Sequence, residues 1–183
     1  MRALTASRVL AFSALVSLAG VAAALVAQYQ FGVKPCPWCV MQRGIFLLIA
    51  VVSALGWVLQ RVGVARVLAL LLTAALGVAG LFAAGYQHEV ASKLASCDMT
   101  FADRVLTALK LEERFPSVFM VTANCSEASA YTLLGLPYEI WSGALFTLIA
   151  LLCLLTLKRG AVHRRRDGAP VSLKSINPTG VPS

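Results

Sequence analysis

Charged side chains are scarce in this chain of 183 residues. Lysine and arginine number 16, aspartate and glutamate number 8, and together they make up 13% of the sequence. Soluble domains carry about a quarter of their residues as charges. Here 59% of the residues are hydrophobic and the mean hydropathy is +0.80. The composition therefore excludes a soluble globular domain and a disordered chain, and it indicates a membrane protein.

The few charges leave four long windows with no Asp, Glu, Lys or Arg. These windows are residues 9–27, 44–59, 67–86 and 140–157. At about 1.5 Å per residue they reach roughly 24 to 30 Å, enough to cross a hydrocarbon core, the second with help from the residues just before it. We therefore predict an all-α membrane protein, a four-transmembrane-helix bundle within residues 1–157. The predicted spans are about 9–27, 40–59, 67–86 and 140–157; the second extends its charge-free window, 44–59, back by four residues and so includes Arg43.

The distribution of basic residues predicts the orientation. An even number of spans places both termini, the short inner connection and the tail at 158–183 on one side, where only Asp167 is acidic. By the positive-inside rule that side is the cytoplasm, and the basic residues report orientation rather than nucleic-acid binding. The tail is predicted to be disordered. The ten basic residues on this side are Arg2, Arg8, Arg61, Arg66, Lys158, Arg159, Arg164, Arg165, Arg166 and Lys174.

Two connections, 28–39 and 87–139, then lie on the outer face, and the second is long. In it, Phe101, Val105 and Leu109 recur at helical spacing beside charged residues. This pattern predicts a short amphipathic helix on the membrane surface, with ordinary loop packing as the alternative.

The five cysteines carry most of the functional information. Cys36, Cys39, Cys97 and Cys125 fall on the predicted outer face, whereas Cys153 lies deep in the fourth span and is predicted to be an apolar filler. Thiols on an oxidising face tend to form disulfides, so the count indicates two pairs and one leftover.

The first two cysteines form the segment Cys36-Pro37-Trp38-Cys39. A structural zinc site would need further patterned ligands, and a disulfide across so short a loop stabilises little, so redox activity is favoured. Pro37 suits the first position of a helix, which places Cys39 in the first turn, where the helix dipole favours a thiolate. Arg43 lies one turn deeper. It either extends to the headgroups or pairs with the Cys39 thiolate or a bound oxidant.

Oxidised thiols must pass electrons to an acceptor. The sequence has no glycine-rich nucleotide fingerprint, no domain large enough for a flavin fold and no clear pair of haem ligands. A lipid-soluble quinone remains as the acceptor. Cys97 and Cys125 could form a structural staple, or a mobile disulfide that passes electrons from a soluble thiol partner to the Cys36 and Cys39 pair.

Together, the four spans, the outward C-P-x-C-x-x-Q-R segment at residues 36–43 and the later Cys97 and Cys125 resemble the DsbB family. These are bacterial inner-membrane disulfide bond formation proteins. The resemblance implies a protein-disulfide:quinone oxidoreductase of the inner membrane, with both termini cytoplasmic and the active cysteines periplasmic. It also implies catalytic roles for the four cysteines and quinone binding by Arg43 and His88, the latter near the outer end of the third helix.

The same resemblance implies an order of events. A reduced periplasmic DsbA-like thiol oxidase attacks Cys97, and the released Cys125 attacks Cys36. The Cys39 thiolate then forms a charge-transfer complex or adduct with ubiquinone or menaquinone, which accepts both electrons.

Two alternatives stand beside this interpretation. One is a four-helix membrane scaffold whose disulfides only brace its loops and whose cysteines are inert. The other is a vitamin K epoxide reductase-like protein, which shares four helices and a quinone-linked CxxC. In that family the CxxC lies near the end of the bundle rather than at the second helix.

Overall fold

The computed structural model of the chain describes residues 5–93, 100–128, 130–133 and 135–167, with the backbone only for 161–167. Four long helices dominate: α1 (Ala6–Phe31), α2 (Pro37–Val58), α3 (Gly63–Glu89) and α8 (Tyr138–Asp167). Each contains a window long and apolar enough to cross a membrane. The predicted all-α, four-helix membrane fold is thereby confirmed.

The connection between α3 and α8 holds the smaller elements. A 3₁₀ turn at Ala91–Lys93 follows α3, and a two-stranded antiparallel hairpin, in which Thr132 pairs with Pro137, precedes α8. Between them lie α4 (Phe101–Ala108), α5 (Leu111–Arg114), α6 (Pro116–Phe119) and α7 (Cys125–Ala128), and the hairpin strands are β1 (Thr132–Leu133) and β2 (Leu136–Pro137).

In the bundle, α2 packs against α1 and α3, and α3 packs against α8, whereas α1 and α8 approach each other more loosely. The rings of Phe46 and Phe146 stack in the core with centroids 4.0 Å apart. Gly80 makes this approach possible, because a Cβ at that position would overlap the ring of Phe146. Cys153 lies in the same apolar core as a buried free thiol, as an apolar filler would.

The predicted loop helix is present as α4, but its buried side differs from the predicted apolar stripe. Ala102 and Leu106 face the protein, while Phe101 and Leu109 are exposed. Leu106 packs with Val40 at the start of α2. The helix therefore packs one apolar side on the bundle and leaves Phe101 exposed, and its contact with a membrane surface stays a prediction.

The predicted disordered tail is in part helical. Helix α8 continues to Asp167, so the first ten residues of the tail at 158–183 are helical. Residues 168–183 lie outside the described part of the chain.

Candidate functional site: a dithiol at the mouth of an apolar cavity

Helix α2 begins at the two cysteines. Cys36 is its N-cap and Pro37 takes the first helical position, which needs no N–H donor. The Cys36 Sγ accepts the Cys39 backbone N–H at 3.4 Å, and the two Sγ atoms lie 3.0 Å apart. Both are free thiols. The cap thus holds the two sulfurs in the contact that forming or breaking an S–S bond between them requires.

The two sulfurs lie in different surroundings. Cys36 is fully buried in a cluster that also contains Ala83, Ala102 and Cys125. The hydrogen bond with Cys39, together with burial, raises the pKa of the Cys36 thiol. Cys36 is therefore held as a protonated thiol, whereas Cys39 is only partly buried and lines a cavity.

The loop that carries Cys125 is docked onto the segment before Cys36. The backbone N–H groups of Thr122 and Ala123 both donate to the carbonyl of Pro35, at 3.0 and 3.2 Å. Cys125 itself is disulfide-bonded and fully buried. Cys97, its predicted disulfide partner, lies outside the described residues. The docking brings Cys125 into the same cluster as Cys36, so two of the predicted catalytic cysteines are neighbours.

A chain of side-chain hydrogen bonds from three helices ends on Cys39. The Ser142 hydroxyl of α8 donates to Gln42 Oε1 of α2, and Gln42 Nε2 donates to Gln87 Oε1 of α3 at 2.7 Å. Gln87 Nε2 is thereby turned toward Cys39 and donates to its Sγ at 3.2 Å. A donated N–H stabilises negative charge on sulfur, so this chain favours the thiolate of Cys39.

Beside Cys39 lies a cavity of about 280 Å³. Its walls come mainly from small and apolar side chains of α1 and α8, and from Phe46 of α2. Since Phe46 lies seven residues beyond Cys39, the cavity runs about 10 Å down the bundle at the helical rise. Its polar end is formed by Cys39, Arg43, Gln42 and Gln87. This is an apolar slot with a thiol and a cation at one end.

Arg43 is buried at this polar end, with 6% of its surface exposed. Its Nη1 donates to Gln28 Oε1 of α1 at 2.6 Å and to the Val118 carbonyl at 3.0 Å. Among the described residues its Nε and Nη2 have no bonded partner, so these donors remain for a molecule in the cavity. The guanidinium therefore holds α1 and α6 to α2 and also faces the slot.

His88 lies at the end of α3 but does not line the cavity. Its ring is 43% exposed, and Nδ1 lies 3.3 Å from Oε1 of Glu139, a buried residue that does line it. The structure thus brings Cys36, Cys39, Arg43 and Cys125 to one end of the bundle. His88 contacts the cavity only through Glu139.

The polar side chains that surround Cys39 were not predicted from the sequence. Gln42 stood inside the C-P-x-C-x-x-Q-R segment without an assigned role, and Gln87 directly precedes His88. Glu139 and Ser142 open the fourth span. For Gln42, Gln87 and Ser142, the signal that could have indicated them is an uncharged polar residue in an otherwise apolar helix, because such residues are rarely left without a partner in a membrane.

Comparisons with known proteins show which family the chain belongs to. A family model described as Disulfide bond formation protein DsbB matches residues 6–156. Disulfide bond formation protein B of Cupriavidus metallidurans is 36% identical over 155 residues, which is 84% of this chain and 91% of the relative. The protein of the same name from Burkholderia pseudomallei is 35% identical over 161 residues, 87% of this chain and 92% of the relative. The chain therefore belongs to the DsbB family and is a membrane oxidoreductase of disulfide bond formation.

Proposed function

We propose that this protein is a thiol:quinone oxidoreductase that reoxidises a periplasmic DsbA-like thiol oxidase and passes the electrons to ubiquinone or menaquinone. One observation carries the proposal: Cys39 Sγ lies at the polar end of an apolar cavity that runs down the bundle. A water-soluble acceptor would need a polar site, whereas a quinone headgroup is a flat, mostly apolar ring with two carbonyl oxygens.

The residues of the cavity fit such a group. Its small lining residues, such as Ala24 and Gly20, leave room for a ring, and Trp141 and Leu145 give apolar walls. Arg43 would donate to a quinone oxygen through its unengaged N–H groups, and planar donation of this kind is a property of guanidinium. A bound quinone supplies a two-electron acceptor that takes up two electrons and two protons. Cys39 is the residue placed to give it electrons.

The cysteines divide the remaining chemistry. A partner thiolate attacks Cys97 of a Cys97 to Cys125 disulfide, and a partner sulfur bonds to Cys97 as Cys125 leaves as a thiolate. Cys125 attacks Cys36 of the Cys36 to Cys39 disulfide, and Cys39 leaves as a thiolate. The partner's second thiolate then attacks the partner sulfur that is bonded to Cys97, and Cys97 leaves as a thiolate. Cys97 attacks Cys125, and Cys36 leaves. The partner leaves oxidised, the outer disulfide is restored, and two electrons rest on Cys36 and Cys39.

Orientation follows from the charges. With the cysteine end in the periplasm of the inner membrane, both termini and the basic residues of α8 lie in the cytoplasm. Reporter fusions after Lys158 and within 91–100 test this arrangement. A periplasmic signal from the fusion after Lys158 contradicts it.

The decisive assay uses purified protein, a reduced DsbA-like thiol oxidase and titrated ubiquinone under anaerobic conditions. We expect one quinone reduced for each partner dithiol oxidised, with no turnover in Cys39→Ser. Cys153→Ser, which changes a thiol in the core away from the cavity, is the matched control and should turn over normally. In Cys125→Ser, a mixed disulfide with the partner should accumulate through Cys97.

Other outcomes would favour the alternatives. A scaffold braced by disulfides predicts no quinone reduction and cysteines that stay oxidised in the presence of the partner. Trapping of the partner through Cys36 rather than Cys97 would contradict the proposed order of exchange.

A further inference from the structure

Glu139 is a buried acid whose position the thiol chemistry does not explain. Its side chain is 2% exposed and lines the cavity beside Cys39 and Ser142. Its Oε1 lies 3.3 Å from Nδ1 of His88, whose ring is 43% exposed. One carboxyl thus faces the slot, and its partner reaches the surface at the end of the bundle. The pair connects the cavity interior to water.

The other charged and titratable groups around the cavity do not neutralise Glu139. The residues of α1 that line the cavity include no charged or titratable side chain. Apart from Glu139, the titratable residues that line it are Lys34, Cys39, Arg43 and Tyr138. Lys34 pairs with Glu127 at 2.9 Å, and Arg43 donates to Gln28 and Val118. A carboxylate in an apolar pocket is costly unless it is paired. In the part of the chain that the structure describes, the one cationic partner within reach is His88, and a hydrogen bond joins the two side chains.

The redox reaction requires a proton in this place. Joining Cys36 and Cys39 in a disulfide releases two electrons, and a quinone becomes a quinol by taking two electrons and two protons. Cys36 is held as a thiol and brings one proton. Cys39 reacts as a thiolate, so its proton has already left. One further proton must therefore enter a cavity whose walls are largely apolar.

We propose that Glu139 donates this proton in the quinone cavity and that His88 reloads it from water, an inference that rests on the proposed function. The carboxyl O–H bond of Glu139 breaks as an O–H bond of the quinol forms. His88 then takes a proton from the solvent, and the imidazolium so formed passes it to the Glu139 carboxylate. His88 acts through Glu139 and needs no contact with the quinone.

Glu139→Gln tests the donor, because the amide keeps the size and polarity of the side chain and loses the exchangeable acid. We expect unchanged equilibrium binding of ubiquinone and a single-turnover rate of quinol formation at least tenfold lower, as general acids contribute that much or more. A small weak acid such as formate should restore part of the rate. Glu113→Gln is the matched control and should keep the wild-type rate, because Glu113 pairs with Lys110 on the surface and neither residue lines the cavity.

His88→Gln separates loading from donation. In this variant Glu139 can still donate the one proton that it carries at the start, so the first turnover should run at the wild-type rate. Later turnovers need a proton that His88 no longer delivers, so they should be slower by severalfold. A burst of one quinol per protein is the expected signature. A first turnover slowed to the same extent as the later ones would overturn the reloading role.

A readout without turnover keeps this inference apart from the proposed function. In quinone-free protein, an apolar carbodiimide should modify Glu139, since such reagents react with protonated carboxyls in apolar sites, and mass spectrometry locates the product. Absence of modification, a wild-type rate in Glu139→Gln, or a loss of quinone binding in that variant would each overturn the proton-donor role. Failure of the wild-type protein to reduce quinone would instead refute the proposed function, even if Glu139 is modified.

Discussion

The side-chain amide of Gln87 donates a hydrogen bond to Cys39 Sγ across 3.2 Å. The two residues belong to different helices, α3 and α2, and Gln87 is 1% exposed. Gln42 fixes the orientation of the amide from the other side. The surroundings of the Cys39 sulfur are therefore determined by its own helix and also by the packing of α2 against α3 and α8.

Gln87→Met keeps the bulk of the side chain and removes the N–H donor. A hydrogen bond to a charged group contributes about 1.5 to 3 kcal/mol, so we expect electron transfer from Cys39 to slow by roughly tenfold or more. Quinone reduction with a fixed dithiol partner measures this. Thr73→Val is the matched control, because it removes another buried hydrogen bond between α2 and α3, that of Ser53 with Thr73, without touching Cys39.

Ser142→Ala should also slow quinone reduction, but less than Gln87→Met. It removes only the hydrogen bond that orients the Gln42 amide and leaves the Gln87 donor to Cys39 in place. The double variant Ser142→Ala, Gln87→Met should be little slower than Gln87→Met alone, because both changes act through one chain. Fully additive losses would show that Ser142 does not act through Gln87.

Arg43→Lys and Arg43→Gln should both raise the quinone KM. Lysine loses the planar pair of donors and glutamine also loses the charge, so we expect the larger effect in Arg43→Gln. Part of any loss could come from the contacts with Gln28 and Val118. Gln28→Leu is therefore the control: it removes one of these contacts and leaves the guanidinium, and its KM should remain close to that of the wild type.

The pH dependence of alkylation tests the environment of Cys36. The hydrogen bond with Cys39 and burial raise the pKa of this thiol, so it should stay protonated through the pH range in which an ordinary cysteine, with a pKa of about 8.5, becomes reactive. We expect reduced protein to be alkylated at Cys39 first. In Cys39→Ser the burial remains and the thiol partner is lost, so Cys36 should react at lower pH than in wild type. Equal alkylation of both cysteines at neutral pH would contradict this.

Gly80→Ala tests the contact between α3 and α8. The added methyl group would overlap the ring of Phe146, and overpacking of this kind costs about 1 to 3 kcal/mol. We expect a lower thermal unfolding temperature. Gly85→Ala in the same helix, where nothing lies within 4 Å of the new Cβ, should leave stability unchanged or raise it slightly.

The four spans could be predicted because a helix in lipid must be apolar over most of its length, a property of the sequence alone. The start of α2 could be predicted for a similar reason, because it depends on two adjacent residues: Cys36 serves as the N-cap and Pro37 suits the first helical position. The inward side of α4 was not predictable from periodicity, because Ala102 and Leu106 face inward only through their contact with α2. A helix with apolar residues on two sides does not reveal which side meets the protein.

The site divides in the same way. The spacing and predicted side of the cysteines indicated the dithiol chemistry. The hydrogen bonds of Gln87 and Glu139 depend on the rotation of α3 and α8 relative to α2, and no local pattern encodes that rotation. His88 shows the difference: the resemblance implied contact with the quinone, whereas the structure places Glu139 between His88 and the cavity. Whether His88 touches a quinone stays a prediction.

The central claim is that Cys36 and Cys39 deliver their electrons to a quinone in the cavity. The most direct measurement mixes protein carrying reduced Cys36 and Cys39 with one equivalent of ubiquinone, without partner and without oxygen, and follows both the quinone absorbance and the state of each cysteine by mass spectrometry. We expect one quinol per chain and a new disulfide between Cys36 and Cys39. A quinone that stays oxidised, or one that is reduced while Cys36 and Cys39 remain thiols, would contradict the account.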